Sequence, residues 1–263
     1  MAISGAPPVA EALLNAPHWQ MLLPDVRIAH IDTTSTTPDI SIEGVSGSSF
    51  QYEPMSEQIT TDIGHISSTI ATISYIFERH RQEQNQYTVH GNLVSKNGQA
   101  AIAFIGGISG IGKSTLSAFV QQQGWKWLSD DKFVVDAQSL SIGVMSQSLA
   151  DEKTLKAIGT QKTDERHDNL PIFHFIIPIV TDEENLTVHY YDREKALWHI
   201  YEELSREIRI SNGLLDAFGP LPSFDTQLAA KNRVETARFY AENIPMIYLR
   251  GNREKIFAFL QAL

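Results

Sequence analysis

Apolar residues recur along this chain with two different periods. Over residues 61–81, Ile63, Ile66, Ile70, Ile73, Ile76 and Phe77 fall three and four positions apart, which predicts a helix with one apolar face. The polar stretch 79–86 closes it. Beyond it the runs are short. Asn97-Gly98 is a strong hairpin signal between 93–95 and 100–105, and His90-Gly91 opens the first of those strands. Ala101-Ile102-Ala103-Phe104-Ile105 has the length of a buried strand. Helical spacing returns over 114–123 at Leu116, Phe119 and Val120, with Gly124 as a stop signal. Residues 125–129 read as a strand whose Trp125 and Trp127 share the core face.

Toward the C-terminus the pattern predicts a short strand over 141–145, a helix over 150–158 and a polar loop over 159–170. The apolar run 171–180 predicts a strand. Pro178 inside it argues against a central position, so a meander edge paired with 185–191 is expected. Asp192 caps a helix over 193–207 with Leu197, Ile200, Tyr201 and Leu204 on one face. A turn-rich break over 211–222 precedes a helix ending at Asn243, a strand over 246–249 opened by Pro245, and a closing helix over 253–263. At the other end, 1–20 read as weakly structured because of Pro7, Pro8 and Pro17. Residues 26–31, 40–42 and 49–52 read as short strands that begin an antiparallel layer. Strands alternating with helices make this an α/β chain. The expected organisation is an N-terminal segment, 1–86, packing on a core domain, 87–263.

Composition narrows the function classes. The chain has 263 residues, 42% of them apolar, which allows one large α/β domain or two small ones. It has no cysteine, so disulfides and thiolate metal sites are excluded. A net charge of −10 argues against general nucleic-acid binding. The first twenty residues lack the basic start and apolar core of a signal peptide. The 171–180 run is too short to span a bilayer, so a cytoplasmic location away from the membrane is expected. His65, His80, His167, His174 and His189 have no metal-ligand spacing and read as structural.

The chemistry gathers in residues 87–136. Gly107-Ile108-Ser109-Gly110-Ile111-Gly112-Lys113-Ser114, followed by Thr115, fits the phosphate-loop pattern G-x-x-x-x-G-K-[ST] at every fixed position. Chance gives such a match in about one chain of this length per hundred. Here the loop also lies between a predicted strand and a predicted helix, as it must. Its glycines let backbone N–H groups converge on an anion, and the following helix adds the positive end of its dipole. Lys113 would reach the β- and γ-phosphates, and the Ser114 hydroxyl would sit on Mg²⁺.

Sixteen residues after the loop serine comes Asp130-Asp131. Two carboxylates just after a strand can divide labour, one holding Mg²⁺ and one taking a proton from an attacking hydroxyl. Asp182 is the competing metal carboxylate, since it too follows an apolar strand, though Pro178 weighs against it. No Asn-Lys-x-Asp occurs, so a GTPase switch is not expected.

The His-Gly, the hairpin into Ser-Gly-Ile-Gly-Lys-Ser and the Asp-Asp pair together resemble the HPr kinase/phosphorylase family. The Gly-Lys-Ser-Thr-Leu ending is similar to the HPr-kinase-related peptide serine kinases of lasso-peptide clusters. The resemblance covers about fifty residues. It implies an HPr-kinase/PEP-carboxykinase-like P-loop fold, with a mixed central sheet flanked by helices. It also implies an ATP- and Mg²⁺-dependent kinase whose acceptor is a serine of a peptide or protein; a small-molecule hydroxyl kinase and a nucleotide-binding regulatory protein are the alternatives. By the same resemblance Asp130 is the base and Asp131 faces Mg²⁺, an assignment that can be exchanged between the two. His90 would neighbour the γ-phosphate or else fix the start of its strand. Lys162 and Arg166, in a loop before an apolar strand, would contact the phosphate or the acceptor or else belong to a solvated loop, and a homo-oligomer is allowed. The family's Glu-Ile/Val-Arg-Gly signature is absent between 137 and 171, and Glu207-Ile208-Arg209 has its letters only late in the chain. The resemblance therefore does not carry HPr itself as substrate.

Overall fold

A computed structural model of the chain describes residues 3–5, 7–16, 40–45, 50–106, 110–137, 141–145, 170–209 and 223–263. They divide into two compact units, 1–79 with 208–226, and 80–207 with 227–263. The strand expected over 26–31, the helix over 150–158 and the break over 211–222 lie outside the described residues.

In the first unit, β1 (Ile3–Gly5), β2 (Ile40–Gly44), β3 (Phe50–Glu53) and β4 (Gln58–Thr61) form a sheet in the order β1-β2-β4-β3. β2 runs parallel to both β1 and β4, and only β3 is antiparallel. The layer is therefore mixed rather than antiparallel, because parallel neighbours are joined by crossovers that local patterning does not reveal. Residues 7–14 also depart from the weakly structured reading. They form helix α1 (Pro7–Leu14), whose first turn tolerates Pro7 and Pro8 because its N–H groups lack intrahelical partners in any case. Val9 and Leu13, one turn apart, bury with Ile40, Ile42, Ile59 and the isoleucines of α2 (Ile66–Glu83). The predicted helix start at 61 is replaced by a 3-10 turn at Ile63–His65. There the Asp62 carboxylate accepts from Gly64 N–H (2.6 Å) and contacts His65 Nδ1 (2.9 Å). Ile63 is consequently exposed.

The second unit is built on an eight-stranded mixed sheet. Its strands are β5 (Gln86–Ser95), β6 (Ala101–Ile105), β7 (Lys126–Ser129), β8 (Lys132–Asp136), β9 (Ser141–Met145), β10 (Leu170–Val180), β11 (Thr187–Tyr190) and β12 (Met246–Gly251). The order is β11-β12-β10-β6-β5-β8-β9, with β7 also on β5. Helices α3 (Lys113–Gln122) and α6 (Arg253–Gln261) pack on one face through Leu116, Val120, Ile256 and Leu260, beside the buried Trp125 and Trp127. Helices α4 (Arg193–Arg206) and α5 (Gln227–Asn243) pack on the other through Ile200, Leu204, Ala237 and Tyr240. A mixed central sheet flanked by helices is thus present. No helix among the described residues is long and apolar enough to cross a membrane.

β10 corrects the meander expectation. It lies between β6 and β12, parallel to both, and β11 pairs with β12 instead. Pro178 is accommodated for a reason the backbone makes plain. Phe175 N–H donates toward β12, to the Pro245 carbonyl, whereas Val180 N–H donates to Ile111 on the opposite side. Backbone nitrogens alternate along a strand, so that of Pro178 faces the Ile111 side, beyond the last β6 pair, Ile176 with Phe104. The ladder with β6 ends at that pair, so the missing N–H falls at its end and not within it.

Candidate active site

The site forms at the middle of β5. His90-Gly91 does not open this strand but lies in its middle. Val94 packs into the apolar layer under α3. Two residues back, on the same face, Asn92 reaches the loop serine and the acidic pair. Two residues further, His90 reaches Asp131. Gly91 between them is needed for packing, since a Cβ there would stand 2.4 Å from the Phe104 carbonyl oxygen of β6.

β7 and β8 both run antiparallel to β5, so they act as one ribbon interrupted by Asp130-Asp131. The pairs Leu93 with Ser129 and His90 with Lys132 leave Gly91-Asn92 facing the two aspartates. Gly91 N–H donates to the Asp131 carbonyl (2.8 Å), and Lys132 N–H to the Asp130 carbonyl (3.0 Å). Asp131 stands at the apex of this three-residue turn with φ 72°, a strained backbone state of the kind that collects at functional sites. Ser129 Oγ fastens the turn by donating to the Lys132 carbonyl (2.6 Å).

The phosphate loop starts from Gly106 at the end of β6. Of its residues, Gly107, Ile108 and Ser109 lie outside the described part, while Gly110, Ile111, Gly112, Lys113, Ser114 and Thr115 are placed. Gly112 takes φ 98° at the start of α3, with no side chain capping the helix. A Cβ at Gly112 would meet the Val180 side chain at 2.6 Å, so only glycine brings the helix start this close to the end of β10. Ser114 and Thr115 are exposed at that helix start. Lys113 is buried and folds back, its Nζ donating to the Gly106 carbonyl (3.0 Å). Burial pushes its pKa down, and the nearby Glu203 carboxylate resists that shift.

The structure joins the two sequence motifs through one contact. Ser114 Oγ donates to Asp130 Oδ1 (2.9 Å), and Asn92 Nδ2 donates to the same oxygen (2.7 Å). Asp130 is buried. Burial raises its pKa, and the bonds from Ser114 and Asn92 pull it back. Asp131 points away to His90, whose Nδ1 is 3.3 Å from its carboxylate, and nearly half of the Asp131 side chain is exposed. Burial lowers the His90 pKa, with the Asp131 charge opposing. The carboxylate that meets the loop serine is therefore Asp130. Asp182 lies exposed in the turn after β10. Lys162 and Arg166 are outside the described residues.

A hydroxyl and a carboxylate oxygen held side by side are hard donors that suit Mg²⁺, which keeps several waters and takes further ligands from nucleotide phosphates. Among the described residues no group of three or more His, Asp or Glu is arranged to hold a metal by itself. His174 is buried on β10 and His189 is exposed on β11.

Four side chains at the site escaped sequence reasoning. Asn92 lies on the face opposite Tyr87, Val89 and Leu93, where their alternation expects a polar residue, so nothing in the pattern marked it as buried. The other three, Glu203, Arg206 and Glu207, cluster at the end of α4. Glu203 and Arg206 are an ion pair at 3.6 Å, and Glu207 holds Lys132 Nζ at 2.5 Å. Only the letters Glu207-Ile208-Arg209 hinted at them. Neither a known protein-family model nor a curated protein matches this chain.

Proposed function

We propose that this chain is an ATP- and Mg²⁺-dependent phosphotransferase of the HPr-kinase-like P-loop kind. It moves the γ-phosphoryl group of ATP onto a hydroxyl, with a serine of a peptide or protein as the acceptor class, and acts in the cytoplasm. The observation that carries this reading is the hydrogen bond from the loop serine, Ser114, to Asp130, with a second carboxylate one residue away beside His90. Phosphoryl transfer asks mainly for positioning and charge neutralisation, and these residues supply both.

The geometry favours an exchange of the expected roles. Ser114 and Asp130 would hold Mg²⁺, which when bound neutralises charge on the nucleotide phosphates. Asp131 is better suited as base, because it is the more exposed carboxylate and an acceptor arrives from solvent. Lys113 releases the Gly106 carbonyl to meet the phosphates, and the neutral His90 orients the Asp131 carboxylate.

The test is γ-phosphoryl transfer to a panel of serine peptides and small hydroxyl compounds, with wild type beside Lys113→Ala and Asp131→Asn. Transfer that falls by about 10²–10⁴ in Asp131→Asn, with nucleotide still bound, supports the reading. Transfer to small hydroxyls alone moves the acceptor class. Tight ATP binding with no transfer to any acceptor, water included, identifies a nucleotide-binding regulator instead.

A further inference from the structure

Helix α4 ends against the site, and its last turn is held by one bond from α2 and one within the helix. Gln82 Nε2 donates to the Leu204 carbonyl (2.9 Å), and the Ser205 hydroxyl donates to that of Tyr201 (2.5 Å). Glu207 binds Lys132, the residue after Asp131 and the cross-strand partner of His90. This places Glu203 and Arg206 beside the reactive groups. Glu203 is 8% exposed and acts electrostatically on Lys113, while Arg206 acts on both Lys113 and His90. The Arg206 guanidinium pairs with Glu203, its Nη1 standing 3.6 Å from Oε2, and about a third of its side chain is exposed. As the last residue of α4 it also sits at the negative end of the helix dipole, which favours a cation there.

We propose that Arg206 is a catalytic residue of the transfer, a guanidinium from the same chain that leaves Glu203 for the oxygens of the phosphoryl group in flight. The proposal rests on the phosphotransferase reading above. During transfer the acceptor oxygen bonds to the γ-phosphorus and its proton passes to Asp131. The bond from that phosphorus to the β–γ bridging oxygen breaks, and ADP leaves with the electron pair. Charge spreads over three equatorial oxygens, more than Lys113 reaches alone. A planar fork with parallel donors matches two of those oxygens, and Arg206 neither gains nor loses a proton. Glu203 then serves as its resting partner when no phosphate is present, a role that also keeps the buried Lys113 compensated.

An acceptor-independent measurement tests this on the full chain. MgADP and MgADP with aluminium fluoride, a mimic of the phosphoryl group in flight, are titrated into wild type, Arg206→Ala and Arg206→Lys. Wild type is expected to bind the mimic more tightly than MgADP. Arg206→Ala is expected to weaken the mimic by about 10²–10³ while MgADP changes less than about threefold. Arg206→Lys, which keeps the charge and protects the fold, is expected to recover only part. Equal losses for both ligands, or none for either, would overturn the role of Arg206 and leave the site reading intact. Wild type that fails to bind MgADP, or that shows no preference for the mimic, overturns the phosphotransferase reading and this proposal with it.

Discussion

Asn92 and Asp130 are cross-strand neighbours, and the amide of one donates to the carboxylate of the other at 2.7 Å. Both are buried, and Ser114 donates to the same oxygen, so the two bonds orient the carboxylate and leave its other oxygen for a metal. A hydrogen bond to a charged group contributes about 1.5–3 kcal/mol. Asn92→Leu is therefore expected to weaken nucleotide binding in Mg²⁺ by about tenfold or more. Binding in a chelator should change less than about threefold, as read by calorimetry. Equal losses in both conditions would mean that Asn92 supports the loop generally and not the metal seat.

Gly112 and Gly124 both hold left-handed backbone, with φ 98° and 91°, but only Gly112 is crowded. Among the described residues nothing stands within 4 Å of a Cβ at Gly124. Gly124→Ala should cost only the backbone strain, about 1–2 kcal/mol. Gly112→Ala adds overpacking against Val180 and should cost about 1–3 kcal/mol more, together with nucleotide affinity. Urea unfolding of the two variants compares them directly, and indistinguishable midpoints would refute the close approach of α3 to β10.

His174 is buried, its Nδ1 has no hydrogen-bond partner among the described residues, and burial lowers its pKa below the ordinary value of 6.5. The sign follows from the unfolded state, which binds the proton more readily. Stability contributed by the neutral ring is thus full above about pH 6.5 and is lost as pH falls from there toward the folded-state pKa. The slope is at most about 1.4 kcal/mol per pH unit for one proton. His174→Gln should flatten the fall in denaturation midpoint between pH 7.5 and 5.5. Buried Asp130 and Glu203, whose pKa values are raised, act in the opposite sense, so the comparison must be made within the pair. An unchanged slope in His174→Gln would assign acid sensitivity to other groups.

Local chemistry was legible where it is local. The strand–loop–helix unit around the phosphate loop, the Asn97-Gly98 hairpin and the Asp192 cap of α4 each depend on a few adjacent residues, and each is where the pattern puts it. Partnerships across the chain were not legible. The central place of β10 depends on which side the nitrogen of Pro178 faces, and no periodicity encodes that. The pairing of Asn92 with Asp130 depends on the register of residues 38 positions apart. The positive φ at Asp131 is carried by a residue with no glycine to announce it. The cluster of Glu203, Arg206 and Glu207 flanks an apolar helix face, where charged residues ordinarily read as solvated.

The shared use of β5 by β7 and β8 has a consequence for how this segment can change. Both strands count their register from the same partner, one on each side of Asp130-Asp131. Inserting or deleting a single residue in that turn would force one of them to slip by one. A slip of β8 would exchange buried Phe133 and Val135 with Lys132 and Val134 across the faces of the sheet. The aspartates can be replaced one at a time with the scaffold intact, but the length of the turn cannot vary. Homologues of this chain should accordingly differ there in letters and never in number.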